Sequence, residues 1–359
     1  MFKYCFYLIF VFGCISERSF TQSHFVQFSD KHISYEGRIV YTNDAAVLMW
    51  PGTSLKINFI GTNISGEFKD ADTSNYYNVI IDNDSIYKIQ FDTAKKIVVL
   101  ASNLSYGKHS IQLFKRTEWD KGKTLFYGFE FNGENKLLKP TKLPKRKIEF
   151  FGNSITCGYA ISDTVNDSPD GYYENNYDAY AAITARHFNT QYYCTSKSGI
   201  GIMISWFPLI MPEMYGRLDP TDSTSKWDFS KYTPDVVVIN LLQNDSWLVN
   251  MPDNEQFKNK FGTKPPDDNY IINAYKNFVQ TIRIKYPKAQ IICMLGNMDI
   301  TKKDSPWPEY VRKAVEQLQD KKIFTYFSPY KETPGHPKVK EQQKLADGLI
   351  QFISQHIKW

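Results

Sequence analysis

The sequence predicts an α/β domain, with a parallel sheet and helices on both of its faces, preceded by an all-β sandwich. Three observations carry this reading. From about residue 30 to 132, short alternating runs of β-branched and aromatic residues follow one another between turn residues, with no helical pattern among them. Lys139 to Lys147 (KPTKLPKRK) then form a Pro- and Lys-rich stretch. Beyond it, apolar strand-like runs alternate with helix-like segments, the pattern of a covered parallel sheet.

Met1-Phe2-Lys3 precede an apolar run from Tyr4 to Cys14, which reads as a secretory signal over residues 1–19. Val11-Phe12-Gly13-Cys14 also forms a loose bacterial lipobox. Two fates follow from it: lipidation at Cys14 with a membrane tether, or simple cleavage a few residues later. The expected location is secreted, periplasmic or at the cell surface.

Residues 20–138 read as the sandwich. Its expected strands are Gly37–Tyr41, Ala46–Trp50, Leu55–Ile60, Tyr76–Ile81, Lys96–Leu100, His109–Lys115 and Leu125–Phe131, with turns such as Pro51-Gly52 and Asp82-Asn83-Asp84 between them. Residues 139–147 read as a linker, being too short and too internal for a basic nucleic-acid tail. In residues 148–359 the expected strands are Ile148–Phe151, Gln191–Thr195, Val236–Leu242, Gln290–Leu295 and Lys322–Phe327. The expected helices are Tyr177–Phe188, Asn269–Tyr286, Trp307–Gln319 and Lys338–His356.

Composition narrows the function classes. The 359 residues are 42% hydrophobic and 23% charged, which excludes a disordered or collagen-like chain. A net charge of +5, from 43 basic against 38 acidic residues mixed along the chain, is a weak argument for a nucleic-acid partner. Aromatic content of 16% suits a β-rich core and, secondarily, sugar stacking. Beyond the first residues no apolar run approaches bilayer length. Apart from Cys14, the chain beyond the signal keeps Cys157, Cys194 and Cys293, with no CxxC pair and no zinc-type spacing, so neither a metal nor a cofactor is expected. Phosphate-loop and dinucleotide fingerprints are missing, and Thr156 occupies the last glycine position of a G-x-S-x-G elbow.

In an open parallel sheet, ligands sit beyond the C-terminal ends of the strands, where loops converge. Four groups follow these strands: Gly152-Asn153-Ser154-Ile155-Thr156, Ser198-Gly199-Ile200-Gly201, Leu242-Gln243-Asn244-Asp245 and Gly335-His336-Pro337. A hydroxyl, a flexible glycine, an amide and an imidazole on one rim supply a nucleophile, oxyanion donors and a base. Of the six histidines only His336 follows a strand of the second domain. Gly201 offers the same backbone freedom as Gly199. Trp206 and Trp247 sit beyond these loops, either to stack on a sugar or to pack. Cys157, one turn past Ser154, reads as buried rather than reactive.

These blocks resemble those of SGNH (GDSL-type) esterases: IEFFGNSITCGY, SGIG, QND and GHP occur in the family's order, with Asn153 where Asp is usual. The first half is similar to the sandwich of carbohydrate esterase family 2, through Gly37-Arg38, Trp50-Pro51-Gly52, Phe59-Ile60-Gly61-Thr62, Tyr76-Tyr77-Asn78-Val79 and Lys115-Arg116-Thr117-Glu118. The resemblance implies a flavodoxin-like SGNH hydrolase domain behind a jelly roll. It also implies metal-free removal of acetyl groups from plant polysaccharides such as acetylated xylan and glucomannan. On it, Ser154 is the nucleophile, His336 the base, and Ser154 N–H, Gly199 N–H and the Asn244 amide the oxyanion hole. The acid that such enzymes place two or three residues before the histidine is missing, since Pro334 and Thr333 stand there. Glu332 is one candidate for it. A Ser–His dyad, with a backbone carbonyl on the histidine, is the favoured expectation. The alternatives to polysaccharide deacetylation are an SGNH esterase for other small acyl esters and a catalytically weak glycan-binding homologue.

Overall fold

The computed structural model describes residues 23–359; the signal-like segment and Cys14 lie outside the described residues. Between Ser23 and Leu137, two six-stranded sheets pack face to face, all their pairings antiparallel. Alternation drives this packing. Along Ser54–Gly61 the side chains of Leu55, Ile57 and Phe59 point inward, while Lys56, Asn58 and Ile60 remain partly exposed. Across the gap they meet Leu48, Phe68, Phe126 and Phe129 from the other sheet. The seven expected sandwich strands are all found, together with Ser23–Gln27, Ser34–Glu36, Ile64–Asp70, Ser85–Gln90 and Lys136–Leu137, which the pattern did not reveal.

The second half is a five-stranded parallel sheet: β1 (Lys147–Gly152), β2 (Gln191–Ser196), β3 (Val236–Asn240), β4 (Gln290–Leu295) and β5 (Ile323–Phe327), in the order β2-β1-β3-β4-β5. Every residue of β3 is buried, as a strand covered on both faces requires. On one face Phe151, Val237, Ile239 and Ile291 pack with the helices Asp268–Lys285 and Trp307–Leu318. On the other, Phe150, Val238, Ile292 and Met294 pack with Tyr180–His187 and Val339–His356. The chain leaves β1 for β2 on one side and then crosses to β3 on the other, which opens a crevice at the C-terminal end of β1.

The two halves share buried polar contacts. Arg38 of the sandwich donates to Glu149 Oε1 of β1 at 2.8 Å and to the carbonyls of Tyr215 (2.7 Å) and Arg217 (2.8 Å). The Trp50 indole N–H donates to the Leu218 carbonyl at 2.8 Å. Among the described residues no helix is long and apolar enough to cross a membrane.

Candidate active site

Ser154 stands at the first position of a single helical turn, Ser154–Cys157, directly beyond β1. Asn153 caps that turn, its Oδ1 accepting the Ile155 N–H at 3.1 Å. A side chain at Gly152 would collide with Thr156, whose Oγ1 would lie 2.0 Å from a Cβ there, so glycine is needed for so tight a bend. Thr156 itself is locked: its Oγ1 lies 3.0 Å from the Tyr180 hydroxyl, and its carbonyl accepts the Asn176 amide at 2.8 Å. The serine hydroxyl therefore projects from a rigid mount.

His336 lies 182 positions further along the chain, with Nε2 at 2.9 Å from Ser154 Oγ. Its Nδ1 faces Asp167 Oδ2 at 2.5 Å, and its backbone N–H donates to the same carboxylate at 3.1 and 3.2 Å. This corrects the expected dyad, and equally the Glu332 alternative. Glu332 is exposed and Nδ1 is already occupied by Asp167, so no backbone carbonyl is required there. Lys331 Nζ ties up the intervening turn by donating to Thr333 Oγ1 (2.6 Å), to the Thr333 carbonyl (2.7 Å) and to the Pro334 carbonyl (3.0 Å).

Asp167 comes from the loop after the serine's helix. Asp163 shapes that loop by accepting the N–H groups of Val165, Asn166 and Ser168 at 2.9–3.0 Å. Lys338 Nζ holds it from the other side, donating to Asp167 Oδ1 and to the Ala160 and Asn166 carbonyls, each at 3.0 Å. Burial alone would raise the Asp167 carboxyl, but the hydrogen bonds and charge of His336 and the bond from Lys338 outweigh it. The group is held well below the usual carboxylate range. The Tyr159 ring packs against the imidazole, with centroids 4.5 Å apart. Sequence reading missed Asp167; the available signal was the run of three acids, Asp163, Asp167 and Asp170, in the loop that follows the nucleophile.

Among the described residues, the N–H groups of Ser154 and Gly199 meet no protein acceptor. Gly199 has φ +80°, and a Cβ there would lie 3.0 Å from the Phe207 ring. Gly201 is not an equivalent donor, because its N–H is taken by Ser205 Oγ at 2.9 Å. The Asn244 amide donates one hydrogen to the Ile200 carbonyl (2.8 Å), and its oxygen accepts the Trp206 indole N–H (3.1 Å). That fixes the amide plane and leaves its second hydrogen to donate. Asp245, fully buried, accepts the N–H groups of Ile202, Met203 and Ile204 at 2.7–3.2 Å and so pins the loop that carries Gly199. Burial pushes its carboxyl up to about 6 against the pull of those bonds.

Trp206 is 44% exposed and free to present a ring face. Trp247 packs against the second core and gives its indole N–H to Asp299 Oδ2 at 2.8 Å. Among the described residues, Cys157, Cys194 and Cys293 are free, and all three are buried. Burial pushes the Cys157 thiol far up, which keeps it protonated and inert.

A hydroxyl hydrogen-bonded to an imidazole, itself oriented by a carboxylate, on the rim of a parallel sheet, makes the molecule an α/β serine hydrolase. Residues 35–140 match the Carbohydrate esterase 2 N-terminal family, and residues 150–349 match the GDSL-like Lipase/Acylhydrolase family. The chain belongs to carbohydrate esterase family 2. It is 33% identical to the cellulase/esterase CelE of Acetivibrio thermocellus over 91% of its own length, and it spans 40% of that protein. It is 26% identical to an acetylxylan esterase / glucomannan deacetylase of Cellvibrio japonicus, covering 98% of this chain and 96% of the relative. The structure of a family two carbohydrate esterase from Clostridium thermocellum in complex with cellohexaose is 33% identical and superposes with a TM-score of 0.80, covering 90% of this chain and 98% of that one.

Proposed function

We propose that this protein is a serine esterase that removes O-acetyl groups from plant polysaccharides such as acetylated xylan and glucomannan. The contact that carries the reading is Ser154 Oγ to His336 Nε2 at 2.9 Å, with Asp167 on the opposite ring nitrogen. With its proton on Nδ1 facing Asp167, the imidazole presents an unprotonated Nε2 to the serine. Nε2 takes the hydroxyl proton as Oγ attacks the acetyl carbonyl. The resulting oxyanion accepts hydrogen bonds from Ser154 N–H, Gly199 N–H and the second amide hydrogen of Asn244. His336 then returns the proton to the departing sugar oxygen, leaving acetyl on Ser154. Water, deprotonated by the same nitrogen, attacks the acetyl carbonyl; the bond to Oγ breaks, acetate leaves and His336 returns the proton to Ser154 Oγ. The exposed Trp206 ring, beside Asn244, suits a sugar face in this reading. The polysaccharide substrate is supported by the names of the relatives and by the sandwich domain beside the site.

The test is acetate release from acetylated xylan, glucomannan and p-nitrophenyl acetate in the presence of a chelator. Turnover that Ser154→Ala abolishes in a folded protein is expected. Full activity in that variant, or no release by the native chain, overturns the proposal. Export is part of it, on the leader-like residues 1–19, either by lipidation at Cys14 or by simple cleavage a few residues later; the mass of the N-terminal peptide from the native host distinguishes the two.

A further inference from the structure

The loop after β2, which carries Gly199, is held from outside its own domain. Glu118, at the end of the sandwich segment Lys115-Arg116-Thr117-Glu118, is buried, and its Oε2 accepts the Ser198 N–H at 2.7 Å. The next N–H along the chain is that of Gly199. Trp206 N–H fixes the far side of the same residue by donating to the Gly199 carbonyl at 3.1 Å. Lys197, the residue before, is likewise tied to the sandwich by a 2.7 Å bond to Asp120 Oδ2.

We propose that Glu118 is a positioning residue of the esterase site, contributed by the sandwich: by holding the Ser198 N–H it aims the neighbouring Gly199 N–H at the oxyanion. The inference rests on the serine esterase reading above. A second buried acid, Glu174, completes the device. Glu174 Oε1 accepts the Glu118 N–H at 2.8 Å, while its Oε2 is buried and meets no partner among the described residues. One donor atom each of Glu118, Glu174 and Cys157 lie within 4.8 Å of one another. Burial raises both carboxyls, and the charge of Glu118 raises Glu174 further. Burial pushes the neighbouring Cys157 thiol up as well.

Reach and charge separate in two variants. Glu118→Gln keeps an oxygen at the same distance and loses the charge; Glu118→Asp keeps the charge and falls one methylene short. Positioning predicts that the Gln variant retains kcat within about threefold, while the Asp variant loses roughly 10- to 100-fold in kcat, as for a weakened oxyanion donor, with KM nearly unchanged. The inhibition constant of a boronic acid that forms a tetrahedral adduct on the serine rises by the same factor in Glu118→Asp, and product inhibition by acetate does not move. An active Asp variant, or a folded but inactive Gln variant, overturns the inference while native activity that depends on Ser154 leaves the esterase reading intact. If the Asp variant does not fold, the Gln variant decides: near-native kcat supports positioning, and loss of kcat in a folded protein overturns it. A native chain without esterase activity overturns both.

Discussion

Asp167 shows how one residue sets the chemistry of another through geometry that spacing does not record. It lies 169 positions before His336, on a loop with no regular structure, and reaches the ring only because Asp163 and Lys338 fold that loop back. Replacing it with Asn leaves the shape but offers an N–H to Nδ1, favouring the wrong tautomer. In a serine protease the equivalent change costs about 10⁴ in rate. Asp167→Asn is expected to lower kcat on p-nitrophenyl acetate by roughly 10²- to 10⁴-fold, while Glu332→Gln stays near native. The depressed Asp167 carboxyl also makes a pH prediction. Its folded value lies below its unfolded one, so the stability it contributes is fully present above about pH 4 and fades as pH falls toward the folded value. The melting-temperature difference between native protein and Asp167→Asn should hold steady from pH 7 to 5 and shrink below 4. His336 was legible because a single histidine followed a strand of the second domain. Its carboxylate partner was not, because long-range loop folding leaves no periodic trace.

At the scale of elements, regular structure was more legible than loops. Tyr76–Ile81 and Gln290–Leu295 have the bounds that alternation and apolar runs predict. Val236–Leu242 was read two residues long, because Leu242 is apolar but adopts φ +74° to start the turn into Gln243–Leu248. Ile64–Asp70 went unread because Gly66 and the charged Glu67 and Lys69 break its apolar pattern, although Ile64 and Phe68 are buried. The loop after β2 depends on backbone that only glycine adopts easily. Gly199→Ala combines a positive φ with a Cβ 3.0 Å from Phe207. It should cut kcat by about 10- to 100-fold with little change in KM. Asp245 acts on the same loop through its three backbone acceptances. Asp245→Ala leaves those buried N–H groups unpaired, at about 1–3 kcal/mol for each group left unsatisfied, and should lower the melting temperature measurably in thermal unfolding.

At the scale of the whole molecule, the sandwich and the parallel sheet meet through a buried ion pair that neither half can satisfy alone. Arg38 and Glu149 are each almost entirely inaccessible, and their nitrogen and oxygen lie 2.8 Å apart. The other Glu149 contacts are hydroxyls, Thr195 Oγ1 at 3.1 Å and Tyr286 at 2.5 Å, which donate hydrogen bonds but carry no positive charge. Arg38 also lies over the Trp227 ring, 5.1 Å from its centroid. Removing one partner of such a pair strands the other charge in the interior, at about 3–5 kcal/mol, whereas removing both strands none. Arg38→Met should therefore destabilise strongly, and the double change Arg38→Met with Glu149→Leu should recover much of the loss. The same logic applies to cutting the chain. Residues 148–359 expressed alone would expose Glu149 and lose the Glu118 hold on Ser198 N–H, so that fragment should aggregate or stay inactive. In calorimetry the intact protein should unfold in one transition rather than two, because the contacts that orient the active-site loop are also those that join the halves. Two well-separated transitions, or a soluble and fully active 148–359 fragment, would refute that coupling.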